Sequence, residues 1–277
     1  TNLDINRWIY YELVKTNEEA KKYILNFRFD EAAKIIYQFV WHSYCDWYIE
    51  FLKPIFDSKN INYIRESRNI SAFIQANIMI LLHPFIPFFT EKIWLDFKFN
   101  NYFNTSIMFK DWNIKNESSF KKNHDKVDFL IDLVSSIRST KVELNVPPAS
   151  YIDISISELS LSKSSIIDKN SVLLKRLGRI TNIGNKIYSK NSVKIVVNGE
   201  TIILYFDQNL DLNEQKKRID SKAQNIDNKI RQINSKLKNK SFLKNAPKQI
   251  VDKEKKSLIN YKIELKKLNS ILNSIKN

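Results

Sequence analysis

The sequence predicts a mainly α protein in three parts: a helical bundle, a small α+β linker module and a C-terminal antiparallel coiled-coil hairpin. Three observations carry that prediction. Apolar residues recur at helical spacing to about residue 140, a two-residue alternation begins after Pro147-Pro148, and two heptad seams fill the C-terminal stretch. The expected boundaries are 1–145, 146–209 and 210–277.

In the bundle, Ile36, Phe39, Val40, Tyr44, Trp47, Tyr48 and Phe51 give the stretch Phe29–Phe56 a broad apolar face. Asp30 and Glu31 suit the positive N-terminal end of that helix, and Pro54 marks its exit. Similar periodicity runs through Ile5–Phe27, Tyr63–Leu82 and Val127–Val142. Pro84 and Pro87 end the third helix and open a fourth through Ile93, Trp94 and Phe97, because proline fits a first helical turn but not an interior one.

The linker module starts with Tyr151–Ser157, whose alternation reads as a half-buried strand. A short helix near Ser162–Leu177 and a strand around Ile180–Ile187 follow. Val193–Val197 and Thr201–Phe206 flank Asn198-Gly199, the signature of a two-residue type I′ hairpin. In the C-terminal part, Ile219, Ala223, Ile226, Ile230, Ile233 and Leu237 form one seam, and Leu258, Tyr261, Leu265, Leu268, Leu272 and Ile275 form the other. The interruption Lys240–Pro247 makes the chain fold back, so two arms of about 30 residues, each about 45 Å long, project as a hairpin.

Composition narrows the chemistry. The chain has 277 residues and 43% apolar content, enough to fill a core. No apolar run approaches the roughly 18 residues of a membrane helix, and Thr1–Arg7 lacks a signal-peptide layout, so a soluble cytoplasmic protein is expected. Its single cysteine, Cys45, cannot form an internal disulfide. Only three glycines occur, and neither GxGxxG nor GxxxxGK[ST] is present, which excludes phosphate loops of those types. Of the net charge of +15, residues 211–277 hold 18 lysines and arginines against 7 carboxylates, a local +11. A basic tail on a nearly neutral body points to an acidic partner, most simply nucleic acid.

Four stretches resemble the valyl-tRNA synthetase family. Phe39–Pro54, with Asn6-Arg7-Trp8-Ile9 upstream, is similar to the anticodon-domain signature; His83–Trp94 is shared with related class I synthetases. Ile137–Pro148 resembles a valyl-type stretch, with Lys141 where that family has arginine, and Phe242–Glu254 resembles the turn of its C-terminal coiled coil. The resemblance covers essentially the whole chain and implies a bundle of the class I synthetase anticodon-binding type. It also implies a linking α+β module, and an arm lying against the outer corner of tRNA. The family's HIGH-like and KMSKS-like motifs and its editing domain are absent from this sequence. The reading is therefore a tRNA-Val-binding C-terminal fragment of a valine-tRNA ligase, inactive alone. On this resemblance its leading helix is expected to be partly cut off, and ATP and Mg are expected to belong to the full-length enzyme. The other partner is the catalytic domain, covalently joined in the full-length enzyme; no membrane partner is expected, and the chain should be monomeric.

For the bundle, Arg7, Trp41, Tyr44, Trp47, Ile49, Lys53 and Arg138 are the candidate anticodon or tRNA contacts, since unstacked bases are read by aromatic faces and phosphates by cations. Arg28 is a further phosphate candidate. Aromatics at helical spacing are more often core, and single surface arginines are often just ion-paired. For the arm, the candidates are Lys216, Lys217, Arg218, Lys222, Lys229, Arg231, Lys253, Lys255 and Lys256; Lys262, Lys266 and Lys267 also follow the turn. Lysine on a coiled-coil flank is ordinarily a solvated face, and the excess of charge is what favours RNA. No catalytic residue is assigned. His42 and Cys45 share a helical face without the third ligand a zinc site needs, Asp46 and Glu50 read as helix solvation, and His83 as a helix-end residue. Two alternatives are a coiled-coil protein-interaction module and a freestanding RNA-binding paralogue.

Overall fold

The computed structural model describes residues 1–184, 191–206, 212–239 and 248–274. They group into two compact units, Thr1–Ile131 and Asp132–Asn277.

The first unit is helical. Helix α1 (Asp4–Leu25) has no capping side chain of its own. A carboxylate from elsewhere in the bundle instead ties down the segment that leads into it: Glu66 accepts from the Asn2 and Leu3 amides at 2.8 and 3.1 Å and from Asn6 Nδ2 at 2.9 Å. Those bonds hold the Glu66 carboxyl below its usual range, against a burial that would raise it. Tyr48 completes the cluster by donating to Asn6 Oδ1 at 2.8 Å, so the fully buried Asn6 is satisfied. At its other end α1 closes in a Schellman turn, with the Arg28 amide bonded to the Tyr23 carbonyl at 2.9 Å and Phe27 left-handed at φ 56°.

The expected continuous helix Phe29–Phe56 is three joined pieces: α2 (Phe29–Gln38), a π-helical segment (Phe39–Tyr48) and α3 (Ile49–Phe56). The wider π turn shifts the buried positions, which are Ile36, Phe39, Tyr44, Tyr48, Phe51 and Leu52. Pro54 lies inside α3 rather than at its exit; the helix continues to Phe56. Helix α4 (Ile61–Leu82) starts on Asn60, whose side chain accepts from the amides of Asn62 and Tyr63. Pro87 opens α5 (Pro87–Asp96) as expected, and His83 Nδ1 meets Thr90 Oγ1 at 2.8 Å beside that start. Short α6 (Phe99–Phe103) sits between two left-handed residues, Lys98 and Asn104. Trp94, fully buried, centres a cluster with Ala76, Ile80, Phe99 and Ile107. Helix α7 (Lys121–Glu143) gives its first half to this unit and its second to the next.

In the second unit, α7 ends on Asn145, left-handed at φ 53°. Strand β1 (Ile152–Ser155) leads to α8 (Leu161–Lys169) and α9 (Ser171–Gly178), then to β2 (Ile180–Gly184), β3 (Ser192–Val197) and β4 (Glu200–Tyr205). The sheet order is β2-β1-β4-β3, with β1 and β2 parallel through the helical crossover and β4 antiparallel to both neighbours. The single helix expected over Ser162–Leu177 breaks at Asn170, whose side chain turns back onto the Ile166 carbonyl at 2.8 Å and competes with the helical ladder. Asn198 and Gly199 both have positive φ, 51° and 82°, as the type I′ turn demands. Of the strand expected to reach Ile187, residues 185–187 lie outside the described residues.

Helices α10 (Leu212–Lys238) and α11 (Lys248–Ser274), 27 residues each and so about 40 Å long, pack side by side. Lys236 meets Glu254 at 3.0 Å, Lys229 lies 5.5 Å from the Tyr261 ring, and Lys222 meets Glu264 at 3.3 Å. One number falls as the other rises, so the pair is antiparallel. Ile219, Ala223, Ile226, Ile230 and Ile233 are buried along α10. On α11, Leu268 is buried in the seam while Leu258, Tyr261, Leu265 and Leu272 are half-buried. Ile271 is also buried, because a second flank of α11 packs on β3. The interruption 240–247 and Ile275 lie outside the described residues.

Candidate nucleic-acid interface

In the bundle the candidate residues divide by exposure. Trp41, 53% exposed, stacks on the equally open Tyr37 with ring centroids 6.1 Å apart and planes 5° apart. Tyr37 thus extends the open aromatic surface by one helical turn, a partner that the i,i+4 spacing could have flagged. Ile49 is partly exposed, and Lys53 points outward from the same helix in an ion pair with Glu50. Tyr44 is 7% exposed with its ring against Tyr48, and Trp47 is half-buried against Phe51, so both rings face inward. Burial raises the Tyr44 and Tyr48 hydroxyls above the usual range, which keeps both protonated donors.

The arginines are spoken for. Arg7 donates to the Thr1 carbonyl at 2.8 and 2.5 Å and lies 5.9 Å from the Phe120 ring. Arg28 pairs with Glu31 at 3.3 Å. Arg138 donates to the Leu177 carbonyl at 3.3 and 3.1 Å.

Beside Arg138 sits a feature of different character. Lys141, 3% exposed, donates to the carbonyls of Ser150 and Gly178 at 2.8 and 3.0 Å. Burial, then the neighbouring charges of Arg179 and Arg138, lower its pKa to about 8. His124 is the opposite case: bonds to Asp128 (2.9 Å) and Glu12 (2.7 Å) outweigh burial and push it up to about 10. Trp8 Nε1 anchors the same Asp128 at 3.0 Å. Sequence reasoning passed over His124, since Glu12 lies 112 positions away; the His124–Asp128 spacing of four was the available signal. His42 bonds Asp46 at 3.1 Å, and among the described residues no three His, Cys, Asp or Glu side chains are grouped to hold a metal.

The arm's cations fall into two sets. Lys222 pairs with Glu143 and Glu264, Arg231 with Asp227 at 2.8 Å, and Arg218 donates to Gln215 and to the Glu143 carbonyl. Lys229 lies over Tyr261. By contrast Lys217, Lys253, Lys255 and Lys256 are exposed and have no ion-pair partner among the described residues; Lys216 is half-buried and bonded. No described helix is long and apolar enough to cross a membrane.

The comparisons with known proteins bear on both surfaces. Residues 6–156 match the family described as the anticodon-binding domain of tRNA ligase, and residues 211–276 match the valyl tRNA synthetase tRNA binding arm. The chain belongs to the valyl-tRNA synthetase family. Similar valine–tRNA ligases occur in Pelagibacter ubique, 41% identical over 96% of this chain, and in Rhizobium meliloti, 34% identical over 99%. Zymomonas mobilis has another, 30% identical over 98%. The chain spans about 30% of the length of these curated relatives. Within the valyl-tRNA synthetase family the matched regions are the RNA-binding ones: the helical domain with Trp41 and Tyr37, and the basic helix pair.

Proposed function

We propose that this chain is the tRNA-Val-recognising portion of a valine–tRNA ligase, working in cis with a catalytic domain that uses ATP and Mg. The observation that carries the reading is the arm. Two helices share one apolar seam and present to solvent Lys217, Lys253, Lys255 and Lys256, which have no ion-pair partner among the described residues, and clustered cations on a slender rod suit a phosphate backbone better than a protein partner. In this reading residues 1–145 hold the anticodon stem and loop, 146–209 link, and 210–277 form the arm. Trp41, with Tyr37, Ile49 and Lys53, meets the loop, while Arg7, Tyr44 and Trp47 shape the surface behind it; Arg138, in the second unit, is a separate tRNA-contact candidate. Lys216, Lys229 and Arg231 add weaker phosphate contacts. The chain is a cytoplasmic monomer that does not aminoacylate alone.

Gel shift with tRNA-Val and a noncognate tRNA across salt tests this. Binding that weakens steeply with salt and favours tRNA-Val is expected; no binding at about 50 mM salt would overturn it. Sedimentation should give a monomer, and a stable dimer would favour a protein-pairing role for the seams.

A further inference from the structure

Three cations of the arm converge on one turn of α7. Lys222 Nζ of α10 lies 3.3 Å from Glu143 Oε2 and 3.3 Å from Glu264 Oε1 of α11. Lys267 Nζ of α11 lies 3.9 Å from Glu143 Oε1 and also donates to Ser139 Oγ, one turn earlier on α7. Arg218, one turn before Lys222, donates to the Glu143 backbone carbonyl. The Glu143 side chain is only 13% exposed, so these ties are partly shielded from water and salt. Each helix of the arm is thus fastened to the same short stretch, Ser139–Glu143, and the fastening uses charge where the seam uses apolar area.

We propose that Glu143 is a positioning residue for tRNA binding: it fixes the direction of the arm through Arg218, Lys222 and Lys267, which act at its base and not on phosphate. The inference rests on the tRNA reading above. Ile271 of α11 packs on β3 at the same end, and a rod of about 40 Å held there moves its far end by several ångströms for a small tilt, so a base left with that one apolar contact would spread the distal lysines over more orientations. Ordering them again on binding costs affinity.

The sign of one substitution separates this from simple electrostatics. Removing a carboxylate from a basic surface ordinarily strengthens binding to a polyanion. Here Glu143→Gln should weaken it, by about five-fold in Kd, whereas Glu264→Gln, which removes an arm carboxylate not carried by α7, should leave it equal or tighter. The experiment uses the full chain with Cys45→Ala and spin labels at Ser162→Cys and Lys238→Cys. A narrow distance distribution in this background and a broad one after Glu143→Gln, with the weaker Kd for tRNA-Val, is the expected result. A distribution that stays narrow, or a Kd equal or tighter, overturns the proposal. Should Glu143→Gln fail to fold by circular dichroism, Lys267→Met cuts one tie and must produce the same broadening. If the unsubstituted chain binds no tRNA, the functional reading falls, and the distance measurement alone decides whether Glu143 anchors the arm.

Discussion

The bundle and the arm treat charge in opposite ways. Residues 1–131 carry 17 lysines and arginines against 16 carboxylates, and several of these are consumed internally, as in the Glu12–His124–Asp128 cluster and the Glu66 bonds to the segment leading into α1. Residues 211–277 carry 18 against 7, and among the described residues Lys217, Lys253, Lys255 and Lys256 face water without an ion pair. The cores differ in parallel. The bundle buries Trp94, Tyr48, Phe51 and Phe129 completely, whereas the arm buries only small and branched aliphatic side chains (isoleucine, leucine, valine and alanine) along its seam and, at Ile271, against β3. A deep core tolerates polar groups only when they are partnered, so its charges must be paired; a two-helix rod has so little interior that cations away from its base, such as Lys253, Lys255 and Lys256, can stay in water and face a ligand.

Trp94→Ala should show the largest effect, a loss of about 4 kcal/mol in the first unit by urea unfolding, because a fully enclosed ring leaves a cavity that cannot collapse. Ile226→Ala should cost less, about 2 kcal/mol, read as faster amide exchange in α10, since the open flank of the seam can close over the gap. If Ile226→Ala proves the costlier, the contrast in core depth is wrong.

The pH dependence sharpens the same contrast within the body of the protein. His124 is raised from 6.5 to about 10, so its contribution is full below about pH 6.5 and is lost as pH climbs to 10. About 2 kcal/mol should disappear from the first unit over that window, as expected for hydrogen bonds to a charged group, and His124→Gln should flatten the profile. Lys141 is lowered from 10.5 to about 8, so its charged form is penalised by folding and the second unit should gain stability between pH 8 and 10.5. Amide exchange resolved by unit must therefore move in opposite directions above pH 8. Smallest of all in stability, the triple change of Lys253, Lys255 and Lys256 to Gln should stay within about 0.5 kcal/mol. Its effect belongs in binding, where the salt slope should flatten by roughly two to three.

Local signals in the sequence were legible and long-range ones were not. The Asn198-Gly199 turn, the Pro87 helix start and the α10 seam each depend on neighbours within about a turn or two, and the structure has them. The π-helical segment was hidden because apolar residues at Phe39, Tyr44 and Tyr48 also satisfy an ordinary helical face within one residue. Which aromatic of that helix would be open and which packed was equally undetermined: Trp41 and Tyr44 differ by three positions and by 53% against 7% exposure. Arg218 and Lys222 read as solvated lysine-type flanks until Glu143, 75 and 79 residues earlier, is placed beside them. Ile271 falls beside the heptad position Leu272, and only the strand β3 on its flank explains why it is buried.

The scarcity of glycine has a thermodynamic side. Phe27, Lys98, Asn104, Asn145, Arg179 and Asn198 all hold the left-handed conformation that glycine would adopt without strain. Each side chain there costs roughly 1 kcal/mol in the native state. The same side chain also narrows the wandering of the denatured chain, by an amount of similar size. Exchanging any of them for glycine would then shift melting very little: relief in one state is matched by added freedom in the other, and a sequence can spend almost no glycine on its bends without becoming fragile.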